Sequence, residues 1–151
     1  MKKFNSVDDI LDFAIRAEQE SVDFYTDLAA QSKNQQMKDV FTEFAEEEMK
    51  HKTHLVEIKE NKSLTLSGEL VREMKISEYM VDVPASSEMT YADALVLAMK
   101  KEKNAFRLYM FLSEEASDPL MKGLFLNLAQ EESRHKLRFE VEYDEFILRE
   151  N

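Results

Sequence analysis

The sequence predicts an all-α protein, a four-helix bundle made of two similar helical hairpins. Three observations carry that prediction. Of 151 residues only two are Gly and two are Pro, while 34% are charged. That is too little turn chemistry for a sheet protein, and it suits long helices. Apolar residues then recur at helical spacing in four long segments. Finally, the chain repeats itself without gaps. Glu18 maps to Glu102, a shift of 102 − 18 = 84, and the same shift carries Ser6 to Thr90, Tyr25 to Tyr109, Phe41 to Phe125, Glu48 to Glu132 and His51 to His135.

Taken in order, Ser6-Val7-Asp8-Asp9 reads as a helix cap with an acidic residue in the first turn. The first helix is expected over 7–31, with Leu11, Ala14, Glu18, Ser21, Val22, Tyr25, Leu28 and Ala29 on one stripe. Asn34 caps the second, expected over 35–60. Residues 61–89 are punctuated by Asn61, Ser63, Ser67 and Gly68 at one end and by Pro84, Ser86 and Ser87 at the other. Leu70, Val71, Met74 and Tyr79 between them suggest one short helix. A connection this long joins packed helices when it must cross the domain. It is therefore read as a crossover within a single domain spanning 1–151, whose repeat halves cover about 6–60 and 90–146. Thr90 caps a third helix over 91–116, where Leu95, Ala98, Glu102, Ala105, Phe106, Tyr109 and Leu112 repeat the first stripe. Asp118-Pro119 opens a fourth over 119–148.

Composition excludes several functions. No cysteine is present, which removes disulfides, thiolate zinc sites, iron–sulfur clusters and cysteine nucleophiles. A formal charge of −11 argues against binding nucleic acid through a basic surface. No apolar run is long enough for a membrane span, and the N-terminus lacks the pattern of a secretory signal, so the cytoplasm is the expected compartment.

The chemistry lies in Glu48-Met49-Lys50-His51 and its copy Glu132-Ser133-Arg134-His135. Residues three apart on a helix share a face, so a carboxylate and an imidazole there can grip one metal ion. Each pair follows an apolar run (Val40, Phe41, Phe44, Ala45 and Leu124, Phe125, Leu128, Ala129) that aims it inward. With Glu18 and Glu102 the candidate ligands are six. Any one of them alone would be an ordinary helix residue. Duplication accounts for the recurrence of caps and stripes, but the persistence of all six ligand types in diverged halves needs a cause. Four inward carboxylates balance two divalent cations and would repel one another without them. Oxygen and imidazole donors without thiolate suit iron or manganese, and zinc less specifically.

These residues resemble the rubrerythrin branch of the ferritin-like di-iron carboxylate proteins over roughly residues 6–146, including the long connection between the second and third helices. The resemblance implies two irons. Glu48 and Glu132 would bridge them, with Glu18 and His51, and Glu102 and His135, as terminal ligands. Tyr25 and Tyr109 match tyrosines that hydrogen-bond the ligand carboxylates, although each also reads as an ordinary core tyrosine. Two departures stand out. Rubrerythrins carry a Cys-rich rubredoxin module, so this cysteine-free chain is expected to take electrons from an external donor of the rubredoxin type. Rubrerythrins also have a further Glu three residues after the terminal one on the third helix, where this chain has Ala105. That Glu takes part in iron movement during peroxidase turnover.

The resulting expectation is a redox protein, of peroxidase or ferroxidase type, that reacts with hydrogen peroxide or dioxygen and forms a homodimer. The alternative is a non-catalytic iron-binding, delivery or sensing protein. Glu47 and Glu131, each preceding a ligand Glu, read as surface charges or as acceptors for an imidazole N–H. His54 has Arg138 as its counterpart and is set aside as a ligand. Glu142, two turns beyond His135 on the same face, has Ile58 as its counterpart and is left out of the site.

Overall fold

The computed structural model describes residues 3–81 and 88–150, without the side chain of Glu150. Among them are five α-helices and one 3-10 turn, and no strand: α1 (Val7–Gln31), α2 (Gln35–Asn61), α3 (Gly68–Glu73), the 3-10 turn Ile76–Glu78, α4 (Tyr91–Glu115) and α5 (Pro119–Glu150). The four long helices fall within two residues of the expected boundaries.

The chain forms two compact units, residues 3–74 and residues 75–151, so the boundary lies inside the long connection. In the first unit α1 packs on α2. Ser6 Oγ accepts the Asp9 N–H at 3.1 Å and Asn34 Oδ1 accepts the Met37 N–H at 3.3 Å, so both helices start where a short polar side chain satisfies an orphan donor. Three residues join them, which forces an antiparallel hairpin. Ile10, Leu11, Ala14, Phe24, Leu28, Phe41, Phe44, Leu55 and Ile58 fill its interior. Ile10 and Phe24 lie outside the stripe expected from the sequence, because α1 buries a broader face than a narrow seam would. Lys59 on Asp12 (2.6 Å), Lys62 on Asp8 (2.9 Å) and Lys52 on Gln19 (2.6 Å) tie the two helices along their outer edge. The Asp12 hydrogen bond holds the Lys59 ammonium above its usual range. α2 ends at Lys62, a non-glycine residue in the left-handed region at φ 54°, with Ser63 N–H returned to the Ile58 carbonyl at 3.1 Å.

The second unit repeats the plan. α4 packs on α5 over Leu95, Leu97, Ala98, Leu108, Leu112, Met121, Phe125, Leu128 and Phe139. Thr90 Oγ1 accepts the Asp93 N–H at 3.0 Å, the counterpart of the Ser6 cap. The tight α4–α5 turn is locked from both sides. Ser113 Oγ donates to the Lys122 carbonyl at 2.7 Å, and Lys122 Nζ reaches the Glu114 carbonyl at 2.7 Å.

The connection differs from the expected single short helix. Helix α3 stops at Glu73, because Met74 turns to an extended conformation (ψ 135°) and buries its side chain. The chain then restarts as the 3-10 turn Ile76–Glu78. Arg107 of α4 fastens this turn, donating to the Glu78 carbonyl at 3.3 Å and lying 5.9 Å over the Tyr79 ring. The punctuation expected at Pro84, Ser86 and Ser87 lies outside the described residues.

One helix position is weaker than it needs to be. Gly123 lies inside α5, exposed, and a Cβ there would meet nothing within 4 Å. Gly123→Ala is therefore expected to stabilise the protein by about 0.5–1 kcal/mol, since it removes unfolded-chain entropy without a clash. Thermal unfolding checks it; a lowered Tm would contradict an unstrained helical backbone at that residue.

Candidate metal centre

Each unit carries its own buried triad of ligand-type side chains. In the first unit Glu18 comes from α1, and Glu48 and His51 come from α2 one helical turn apart. All three are at most 2% exposed. His51 Nδ1 lies 3.6 Å from Glu18 Oε2 and 3.6 Å from Glu48 Oε1. One donor atom from each lies within 4.8 Å of the others. In the second unit Glu102 from α4 meets Glu132 and His135 from α5, all at most 1% exposed. His135 Nδ1 lies 3.5 Å from Glu102 Oε2, and again one donor from each falls within 4.8 Å.

Helix geometry explains this assembly. The i, i+3 spacing puts Glu48 under His51 and Glu132 under His135 on the inward face. The preceding apolar residues on that face, Phe41, Phe44 and Ala45 on α2 and Phe125, Leu128 and Ala129 on α5, are all buried and fix its rotation. The partner helix of each hairpin then supplies one carboxylate from its own buried stripe.

The donor set fits a metal ion. Separations of 3.5–3.6 Å are longer than a hydrogen bond. They match the edge of a coordination polyhedron. Two donors each ~2.1 Å from one ion stand ~3.0 Å apart at a right angle and ~3.6 Å apart at 120°. Burying two carboxylates beside an imidazole is costly without a compensating cation. One divalent ion per triad cancels the two glutamate charges. The absence of thiolate leaves iron, manganese or zinc as ions suited to these ligands.

The comparisons with known proteins agree with this chemistry. The sequence profile of the rubrerythrin family matches residues 9–92 and 93–151, nearly the whole chain. The chain belongs to the rubrerythrin family. Its fold is ferritin-like. A Thermotoga maritima protein, whose crystal structure was solved as that of a candidate ferritin-like diiron-carboxylate protein, superposes with a TM-score of 0.76 at 23% identity, covering 96% of this chain and 99% of the other. A hypothetical protein of Pyrococcus furiosus follows with a TM-score of 0.69 at 25% identity, covering 92% and 89%. No curated protein matches.

Within this rubrerythrin-family chain the remaining candidates divide clearly. Tyr25 and Tyr109 are fully buried. The Tyr109 ring stacks on Phe125 at 6.2 Å between centroids, and the Tyr25 ring meets Phe24 at 5.7 Å. His54 is exposed and stands apart from the triads. Glu47 and Glu131 are half-buried rather than fully at the surface. Ala105, the position of the departure, is half-buried three residues after Glu102 on α4. Glu142 is buried, as is its apolar counterpart Ile58. It accepts from the Tyr91 hydroxyl at 3.0 Å and from Arg149 at 3.3 Å. Burial, reinforced by the Glu142 charge, pushes the Tyr91 hydroxyl above its usual range. The Tyr91 ring also meets Phe146 edge-on at 5.0 Å. These contacts make Glu142 the centre of a clasp between the start of α4 and the end of α5. The sequence held a signal for it, since Glu142 and Arg149 are seven residues apart and share a helix face.

Proposed function

We propose that the two triads together form one di-iron centre, with Glu48 and Glu132 shared between the ions, and that the protein reduces hydrogen peroxide or dioxygen there. The observation that carries this reading is the duplicated buried Glu/Glu/His triad in a chain of the rubrerythrin family. Two bound ferrous ions would supply the two electrons that convert one peroxide and two protons to two water molecules.

The chain's own residues prepare that chemistry. His51 and His135 act as neutral nitrogen donors, and the four glutamates offset the cation charge. Helix-borne ligands hold their places before the metal arrives, which lowers the cost of assembling the site. Phe41, Phe125, Tyr25 and Tyr109 are buried on the same helices as the ligands, and the burial of the ligands themselves limits bulk water. Tyr25 and Tyr109, each two turns beyond a ligand Glu, would donate hydroxyl hydrogen bonds to ligand carboxylates in this reading. With no cysteine in these 151 residues, repeated turnover draws electrons from an external donor of the rubredoxin type. Ala105 leaves the α4 turn beyond Glu102 without a carboxylate, so turnover is expected to be slower than in proteins that have one there.

The test is stopped-flow mixing of anaerobically prepared diferrous protein with one equivalent of hydrogen peroxide. The expected result is oxidation of both ions in a single turnover. Continued consumption of peroxide should require added reductant. If the iron stays ferrous under excess peroxide, the redox reading fails and non-catalytic iron binding or delivery replaces it.

A further inference from the structure

On α4 one small residue breaks the cover of the inward face. Nine residues of this helix are buried, between Ala94 and Ser113. At about 100° per residue they span an arc of about 160°, with Leu97 at one edge and Ser113 at the other. Ala105 falls at the middle of that arc, yet it is only half-buried. Its neighbours along the stripe are covered: Ala98 and Glu102 are 0% exposed and Tyr109 is 1%. Lys101 also lies within the arc and is half-buried, but a long side chain can reach water from an inward position. A methyl group cannot. Water therefore comes to Ala105.

The internal repeat supplies a control. Ser21 is the counterpart on α1, within about 10° of the middle of that helix's buried arc, and it is buried. The residue one turn beyond the ligand glutamate is thus buried in the first unit and half-buried in the second. The register alone does not expose it. Ala105 also has one heavy atom fewer than serine to fill the space.

We propose that small uncharged ligands of the metal, hydrogen peroxide among them, enter the second triad at Ala105, and that the size of this side chain decides which peroxides the protein accepts. The inference rests on the redox reading above and adds an entry route to it. Ala105 stands three residues from Glu102 on the same face, ~4.5 Å along the axis. Glu102 itself is fully covered, so entry needs a brief displacement of side chains. In a close-packed wall a methyl group resists that displacement less than any larger side chain. Charge selects a neutral entrant. The triad holds Glu102 and Glu132, and the whole chain carries −11, so an anion would be repelled. Hydrogen peroxide is uncharged and close to water in size. A branched hydroperoxide is uncharged but much wider.

The test mixes diferrous protein in stopped flow with nitric oxide, hydrogen peroxide or tert-butyl hydroperoxide. Nitric oxide is a neutral ligand for ferrous ions and reports entry without turnover. The branched hydroperoxide takes the same two electrons and two protons as hydrogen peroxide, giving an alcohol and water. Ala105→Leu is expected to slow nitric oxide binding and oxidation by hydrogen peroxide about 10-fold or more, with iron content and the metal-induced rise in Tm retained. Ala105→Gly should speed tert-butyl hydroperoxide more than hydrogen peroxide. Val96→Leu adds bulk on the opposite side of α4 and should leave every rate unchanged. An iron-loaded Ala105→Leu protein with wild-type nitric oxide kinetics would overturn the entry route. A ratio of the two peroxide rates unmoved by Ala105→Gly would overturn it too, and decides the question alone if the leucine variant does not fold. A diferrous wild type that binds nitric oxide but withstands peroxide removes the redox reading instead, and the nitric oxide rates then judge the route by themselves.

Discussion

Metal-free protein should gain on the order of 10 °C in Tm when ferrous, manganous or zinc ions are added to saturation. The reasoning begins with the cost of the apo state. Glu18, Glu48, Glu102 and Glu132 are all at most 2% exposed. Without a cation, each triad holds two carboxylates out of water beside an imidazole, with no divalent charge to offset theirs. A ligand that binds only the folded state adds about 2.7 kcal/mol at one hundred times its Kd. Two sites would then add about 5 kcal/mol, and in a chain of this size each kcal/mol shifts Tm by about 2–4 °C. Variants separate the site from general damage by the sign of their effects. Glu48→Ala and Glu132→Ala should lose most of the metal-induced rise, because in the proposed arrangement each serves both ions. The same substitutions should leave the metal-free Tm unchanged or higher, since they delete a buried charge. Scanning calorimetry of verified metal-free samples reads both. A Tm unmoved by all three ions would count against an interior metal centre.

Phe125→Ala should cost about 3–5 kcal/mol, with a Tm lower by about 6–20 °C. Phe125 is fully buried on α5, in the hydrophobic run that turns Glu132 and His135 inward. It is also the ring on which Tyr109 stacks. Truncation leaves a cavity in the α4–α5 core and frees the Tyr109 ring to tilt, so the loss reaches the metal ligands as well as the fold. Phe41→Ala, its repeat counterpart on α2, should behave alike because Phe41 is equally buried. Asn127→Ala, on the exposed face two residues from Phe125, should change stability by less than about 0.5 kcal/mol. A Phe125→Ala protein within 1 kcal/mol of wild type in a denaturant titration would show that this core re-closes around the gap. The link from packing to site would then be withdrawn.

Much of this protein was legible without coordinates. Ser6, Asn34 and Thr90 announced three helix starts because a short polar side chain before an apolar-periodic run has few other uses. The 84-residue shift exposed both triads, since a repeat multiplies the weight of every matched ligand. Helical spacing then sufficed to place Glu48 with His51 and Glu132 with His135, because i and i+3 meet on any α-helix. The family followed from the same residues.

Other features were decided only by tertiary packing. The connection was expected to hold one helix, but burial of Met74 ended α3 at Glu73 and Arg107, distant in sequence, pinned the 3-10 turn that follows. Glu142 shares the inward face of His135 and has a buried repeat partner in Ile58, but its partners were not legible: Tyr91, fifty-one residues earlier, and Arg149 meet it only in space. The exposure on α5 of an apolar stripe, Leu126, Leu137, Val141 and Leu148, was not legible in the sequence. Hydrophobic periodicity marks faces that seek cover, but not which face the partner helix takes. α5 buries Phe125, Leu128, Ala129 and Phe139 against α4, and only that choice leaves the second apolar stripe in water. Local spacing fixes which side chains share a helix face. Which of two apolar faces is buried depends on contacts between segments far apart in the chain, and those exist only in the folded protein.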